Sequence, residues 1–183
     1  EMQRSLVGSE MCIRDRRNVG RKKERVAMAV DAILSKLQAL CVKREYCRYD
    51  IAQKAQKLLK DEPNPEEKLQ AMVDSLEEDG FVSDLRYSSA YAREKSSISG
   101  WGPLKIRTAL LAKRIERSVI DEALGEVDDD RAQEKLRKVL QNKWRSLSED
   151  PQGKLKLIRF ALSRGYDYDS VRPVVEDIVS ASD

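Results

Sequence analysis

Residues 79–106 read DGFVSDLRYSSAYAREKSSISGWGPLKI. Gly80 stands where a helix stops, because a left-handed residue just past the last turn costs least as glycine. Phe81 follows as the apolar residue that folds back on that turn. Ser83 or Asp84 then caps a new helix that runs to about Lys95. Gly100-Trp101-Gly102 breaks the chain again. Pro103, with φ already fixed and no N–H to lose, opens the next helix, with Leu104, Ile106, Leu110 and Leu111 turned inward. The local grammar is that of short helices joined by tight turns.

The same grammar extends in both directions. Upstream, Val30, Ile33, Leu37 and Leu40 recur at three- and four-residue steps and form one apolar stripe. Asp50 offers an N-cap for a short helix carrying Ala55, Leu58 and Leu59. Asn64-Pro65-Glu66-Glu67 reads as a cap, a first-turn proline and a capping-box carboxylate, with Leu69, Val73 and Leu76 following on one face. Downstream, Arg117 to Leu124 places Ile120, Leu124 and Val127 together. Asp128 to Asp130 can cap a helix bearing Ala132, Leu136, Leu140 and Leu147. Asp150-Pro151 repeats the cap-plus-proline start, and Gly165-Tyr166 repeats the glycine-plus-aromatic stop. Asp169 then caps a last helix with Val171, Val174, Val175 and Ile178.

The helices fall into three triplets offset by about 50 residues, and the third helices share a loose signature in AMVDSL, SVIDEAL and SVRPVVEDI. None is long enough to be stable alone, so each must bury its stripe on neighbours. The expected architecture is all-α: an elongated, curved array of three tandem three-helix repeats. Residues 1–20 form a leader, 21–81 the first repeat, 82–127 the second and 128–183 the third. A single compact bundle is the competing arrangement. The short helices and repeated proline starts disfavour it.

Composition agrees with a helical chain. Charged residues make up 37% and aromatics only 5%, too few rings for a large β core. No apolar run approaches the roughly 18 residues of a membrane span. Histidine is absent, which removes the commonest general base and zinc ligand. Cys12, Cys41 and Cys47 show no metal-ligand or disulfide spacing and point to a reducing, cytoplasmic compartment. Cys41 and Cys47 read as small buried apolar residues. Nothing resembles a phosphate-binding glycine loop or a nucleophile elbow, and Asp128-Asp129-Asp130 reads as a solvated helix cap favoured by the helix dipole. The expectation is a protein with no catalytic residues, cofactor or metal.

The leader EMQRSLVGSEMCIRDRRNVG has neither period nor cap, and SLVGSEMCIRDR has the look of a translated adapter sequence. It is too polar for a signal peptide. Arg21, Lys22, Lys23 and Arg25 beyond it read as a solubilising helix start, or as a flexible arm onto DNA.

Binding has more support than catalysis. Net charge is only +3, so an acidic partner must be met by a local patch. Between Asp84 and Arg117 stand Arg86, Arg93, Lys95, Lys105, Arg107, Lys113, Arg114 and Arg117. Against these eight cations are three acids, Asp84, Glu94 and Glu116, an excess of five. Tyr87 and Tyr91, four apart, share a helix face, and Arg86 and Arg93 share another. Guanidinium beside aromatic surface suits phosphate contact, base stacking or an acidic protein groove. The plainer reading is a solvated basic face with tyrosines packed half inward. Trp101, between its glycines, reads as a core plug at a junction between units.

Three blocks carry a resemblance: REYCRYDIAQKAQKLL at 44–59, DGFVSDLRYSSAYAREK at 79–95 and GWGPLKIRTALLAKRIERSVIDEAL at 100–124. In this order and spacing the chain resembles the RecX family, bacterial regulators of the RecA recombinase, over about Val26 to Val179. It departs from the family in two places. Arg114 stands where a glycine is frequent, which suggests a tighter or more helical turn. Ser88 and Ser89 stand where the family often carries Phe-Ala or similar, which thins the packing of their helix without removing its basic face. The resemblance implies a non-enzymatic modulator that binds RecA, lies along the groove of its filament on DNA and limits filament growth. ATPase, strand-exchange and co-protease activities fall as a result. It also implies a role in recombination, DNA repair and the SOS response, and a monomer with at most weak affinity for DNA. The candidate partner-binding residues are Arg86, Tyr87, Tyr91, Arg93, Lys95, Lys105, Arg107, Lys113, Arg114 and Arg117.

Two rivals stand beside this. A helical DNA-binding module could act through phosphates. However, two of the three third-helix starts, Pro65-Glu66-Glu67 and Tyr168-Asp169, are acidic and would repel a groove. A helical-repeat adaptor for some other protein is the second.

Overall fold

The structure, a computed structural model, describes residues 28 and 30–181. The leader 1–20, Cys12, and the basic residues Arg21, Lys22, Lys23 and Arg25 lie outside the described residues. Among the described residues every regular element is a helix. α1 covers 30–43. The others are α2 (Arg48–Leu58), α3 (Pro65–Glu78), α4 (Asp84–Ser97), α5 (Pro103–Leu111), α6 (Arg117–Gly125), α7 (Asp129–Trp144), α8 (Gly153–Ser163) and α9 (Tyr168–Ser180). The all-α, three-by-three plan of the sequence is realised.

The chain forms two compact units. Of the described residues, one unit comprises those through Arg44 together with Ile51–Phe81, and the other comprises Glu45–Asp50 and 82–181. The first buries Ile33 and Leu37 of α1, Ile51 and Ala55 of α2, Leu59 just beyond it, and Met72, Val73 and Leu76 of α3. The four-residue steps from Ile51 to Leu59 leave Leu58 outside the stripe, and it is exposed, contrary to expectation.

The second unit takes in the short segment Glu45–Asp50. Asp50 does not cap α2. That position falls to Cys47, whose sulphur accepts the Asp50 N–H at 3.5 Å. Asp84, at the start of α4, accepts the Arg48 N–H at 2.7 Å and satisfies another free amide of the same helix end. Ser83 is the true cap of α4, accepting from the Arg86 N–H at 3.3 Å. α4 packs on α5, α6 and α7. Its buried residues, Ser88, Ser89, Ala92 and Ser96, are all small, so neighbouring backbones can come close. Ser88 and Ser89 are buried there, and among the described residues neither hydroxyl has a hydrogen-bond partner.

Only part of α5 follows the expected pattern. Ile106 and Leu110 are buried, while Leu104 and Leu111 are exposed. Beyond the helix, Arg114 adopts φ 58°, so the left-handed turn of a glycine is kept rather than replaced by more helix. The Arg114 N–H donates to Leu111 O at 2.9 Å and the Ile115 N–H to Leu110 O at 3.4 Å, with Ile115 and Leu110 both buried. That is a complete Schellman stop. Gly80 and Gly165 are left-handed as read, at φ 75° and 88°.

Asp128 caps α7 through the Arg131 N–H at 3.0 Å. Two other starts differ from expectation. α8 begins at Gly153 rather than at Pro151, because Asp150 is spent on a turn, accepting the Gln152 N–H at 2.8 Å. α9 is capped by Asp167, not Asp169, through the Ser170 N–H at 2.9 Å. At Asn64 the residue itself turns left-handed, at φ 50°, and no capping box forms; its amide donates to the Glu67 carboxylate at 3.4 Å instead.

The second and third groups of helices join through backbone. The Gly102 N–H donates to Arg164 O at 2.8 Å and the Leu104 N–H to Gly165 O at 3.0 Å. A Cβ on Gly102 would collide with the Gly165 carbonyl, and one on Gly165 with the Lys105 backbone. The Arg164 guanidinium also reaches Ser99 O at 2.6 Å.

Candidate partner-binding face

α4 lays out an aromatic row. Tyr87 and Tyr91 share a face, as their spacing requires, with ring centroids 5.9 Å apart and planes at 22°. Tyr91 meets Trp101 edge-on at 6.5 Å and 75°. Trp101 is half-buried against the core of the second group of helices, together with Tyr49 from the first turn of α2.

A cation stands over each ring. Lys113 Nζ lies 5.5 Å from the Tyr87 centroid, and Lys95 Nζ lies 5.2 Å from Tyr91 and 5.7 Å from Trp101. Lys105 Nζ lies 4.6 Å from Trp101, and the Arg114 guanidinium 5.3 Å from Tyr49. The ring quadrupole attracts each of them. Tertiary structure therefore gathers Tyr87, Tyr91, Lys95, Lys105 and Lys113 around one aromatic row with Trp101, and sets Arg114 over Tyr49.

The remaining candidates are held differently. Arg86 makes a two-point pair with Glu45, at 3.2 and 3.3 Å. Arg93 meets Glu126 at 3.5 Å, and Arg107 pairs with Asp121. Arg117 is exposed, with no ion pair among the described residues. Lys113 also bonds Asp50 at 2.6 Å, and Lys95 bonds Glu94 at 2.8 Å. Glu45, Asp50, Asp121 and Glu126 come from outside the 84–117 segment. Once they are counted, the local excess of five falls to one. The face carries ordered cations more than it carries net charge.

Burial sets the titration behaviour. The Tyr87 hydroxyl is raised by burial, which Lys113 partly opposes. Burial pulls Lys113 down, but the bond to the Asp50 carboxylate and the nearby Tyr87 phenolic oxygen outweigh it, and the net direction is up. Lys95 is raised by its bond to Glu94. Cys47 is pushed up to about 11 by burial, against the opposing Asp50 N–H, so it is a neutral thiol at physiological pH. Among the described residues no group of three or more His, Cys, Asp or Glu could hold a metal ion, and no helix is long and apolar enough to cross a membrane.

The sequence reading missed Tyr49 and the four carboxylates. Glu45, Tyr49 and Asp50 all sit in the stretch EYCRYD, whose alternation of acid and ring beside Cys47 was the available signal.

Fold and face together define a protein of tandem three-helix units with a cation-lined aromatic surface. Comparison with known proteins narrows this. The model of the second three-helix domain of RecX matches residues 83–124, and that of the third three-helix domain matches 129–175. A Regulatory protein RecX of Pseudomonas fluorescens is 35% identical over 133 residues, which cover 72% of this chain and 82% of the relative. The chain belongs to the RecX family. The RecX of Clostridium botulinum is 32% identical over 135 residues, and that of Clostridium tetani 30% over 115 residues. The chain spans only 63% and 52% of the lengths of these two relatives. A crystal structure of regulatory protein RecX superposes with a TM-score of 0.73 at 19% identity, covering 96% of this chain and 81% of the other. RecX from Lactobacillus salivarius superposes at 0.71 and 19%, covering 83% and 97%. These two share the fold.

Proposed function

We propose that this chain is a non-enzymatic, cytoplasmic regulator that binds the RecA filament on DNA and limits its growth, lowering recombinase, ATPase and co-protease activity. In that role it would act in recombination, DNA repair and the SOS response. Family membership supports the partner. The observation that carries the reading to a surface is the row Tyr87–Tyr91–Trp101 with Lys113, Lys95 and Lys105 fixed over its rings. Cations ordered in this way lose little further side-chain entropy when they meet a partner's carboxylates or phosphates. Direct reading of a DNA groove by the third helices is disfavoured, because α3 opens with Glu66 and Glu67 and α9 carries Asp169 in its first turn.

The test is RecA's ATPase rate on single-stranded DNA, with this protein titrated from well below the amount that coats the DNA. A fall in rate at such amounts is expected. Inhibition only once the DNA is saturated would replace this reading with simple phosphate binding, whose affinity should collapse as salt is added.

A further inference from the structure

The middle helices of the second and third groups each carry two apolar faces. The inner one is Ile106 and Leu110 in α5, matched 51 residues later by Leu157 and Ala161 in α8, all buried. The outer one is Leu104 and Leu111 in α5, matched at the same offset by Leu155 and Leu162 in α8. These four are exposed, at 52%, 39%, 46% and 39%. One exposed leucine needs no explanation, but two pairs at i, i+7 on equivalent helices are a pattern.

The pairs are joined into one row. The start of α5 abuts the end of α8 through the Leu104 N–H and Gly165 O, at 3.0 Å. Leu104 and Leu162 line the same open groove of about 510 Å³, floored by Thr108, Ala109 and Ala112. Thr108 spends its hydroxyl on Leu104 O, at 2.8 Å, which leaves its methyl to the groove. Neither helix contains an acid. Arg107, Lys154 and Lys156 are paired with Asp121, Glu176 and Asp150 of neighbouring elements. Lys105 at the groove and Arg159 between Leu155 and Leu162 hold no carboxylate among the described residues.

We infer that this row is a docking surface for an acidic amphipathic helix of a partner protein. Leucine anchors of that helix would lie along the groove, and its carboxylates would meet Lys105 and Arg159. A second copy of this chain would bring the same cations against themselves. Nucleic acid would leave the leucines unused. The inference stands on the groove and does not depend on the RecA reading.

The probes are three labelled 14-residue peptides with leucines at i, i+4, i+7 and i+11. Their polar faces carry glutamate, glutamine or lysine. Fluorescence anisotropy should show saturable binding of the glutamate peptide, at least tenfold tighter than either of the others. Leu104→Ser/Leu162→Ser, at exposed positions and with an unchanged urea midpoint, should weaken it at least tenfold. Lys105→Glu/Arg159→Glu should shift preference toward the lysine peptide. Three results overturn the inference: no saturable binding of the glutamate peptide, equal binding of all three peptides, or undiminished binding by the leucine variant. So does a dimer in sedimentation that the leucine variant dissociates, which would make the row a self-interface.

Discussion

Gly102 and Gly165 meet backbone to backbone, with no room for a side chain on either. The second and third groups of helices are tied there by two main-chain hydrogen bonds. Gly102 has an ordinary extended backbone, φ −81° and ψ 166°, so any cost of a methyl comes from the collision alone. Gly102→Ala should therefore destabilise by about 1–3 kcal/mol in urea unfolding. Gly125→Ala is the control, because a Cβ there meets nothing within 4 Å. It should be neutral or stabilising by up to about 1 kcal/mol. Equal effects from the two would mean the glycine contact is loose.

Arg114 separates backbone need from side-chain need. Its φ of 58° costs an ordinary residue roughly 1–2 kcal/mol, and its guanidinium recovers part of that over Tyr49. Arg114→Gly should lie within about 0.5 kcal/mol of the parent, relief of strain offsetting the lost ring contact and the freer unfolded chain. Arg114→Val, β-branched at positive φ, should lose more than about 1 kcal/mol. Urea midpoints of the two variants measure the difference.

Features set by neighbouring residues were legible in the sequence, and features set by distant ones were not. Gly80, Gly165, Ser83 and Asp128 act as read, because a left-handed stop or a cap depends on residues three or four away. Asp169 misled because Asp167 offers the same chemistry two residues earlier. Leu104 and Leu111 misled because α5 is apolar on two faces, so periodicity alone cannot choose the buried one. The excess charge of the candidate face was overcounted for a different reason: Glu45 reaches Arg86 across 41 positions and Asp50 reaches Lys113 across 63.

Cys47 should make the fold sensitive to alkali. Its thiol has an ordinary value of 9.0 and is pushed up to about 11 in the folded chain by burial. Between those values the unfolded chain has released a proton that the folded chain still holds, so stability falls as pH rises from about 9 to about 11. Lys113, raised by Asp50, adds stability that is present below its ordinary 10.5 and is lost above it, in the same direction. Urea midpoints at pH 7 and pH 10 should differ, and Cys47→Ala should flatten the slope. A slope unchanged in Cys47→Ala would assign the effect elsewhere.

Ser88 and Ser89 are buried on α4, and their hydroxyls have no partner among the described residues. Removing an unsatisfied buried hydroxyl recovers its desolvation cost, and alanine is the better helix former. Ser88→Ala should stabilise by about 0.5–1.5 kcal/mol. Ser88→Leu should destabilise by at least about 1 kcal/mol, because the site is fully buried. Thermal unfolding of both variants tests the pair. Destabilisation by Ser88→Ala would mean that the hydroxyl has a partner in solution.

The proposed binding face is best tested where charge can be altered without breaking an ion pair. Reversing Arg86 or Arg107 would set a new acid against Glu45 or Asp121, and a loss of activity could then come from the fold. Lys105 has no carboxylate partner among the described residues; it stands over Trp101 at 4.6 Å and touches Ser163 O at 3.5 Å. Lys105→Gln should leave the urea midpoint within about 0.5 kcal/mol of the parent, in keeping with a half-exposed side chain. It should nevertheless raise severalfold the concentration needed to slow RecA's ATPase. Lys105→Arg, which keeps the charge over the ring, should restore most of the effect. If Lys105→Gln inhibits as well as the parent, the row is packing and the partner meets another surface. If Lys105→Arg fails along with Lys105→Gln, the compact ammonium itself is required rather than positive charge at that position.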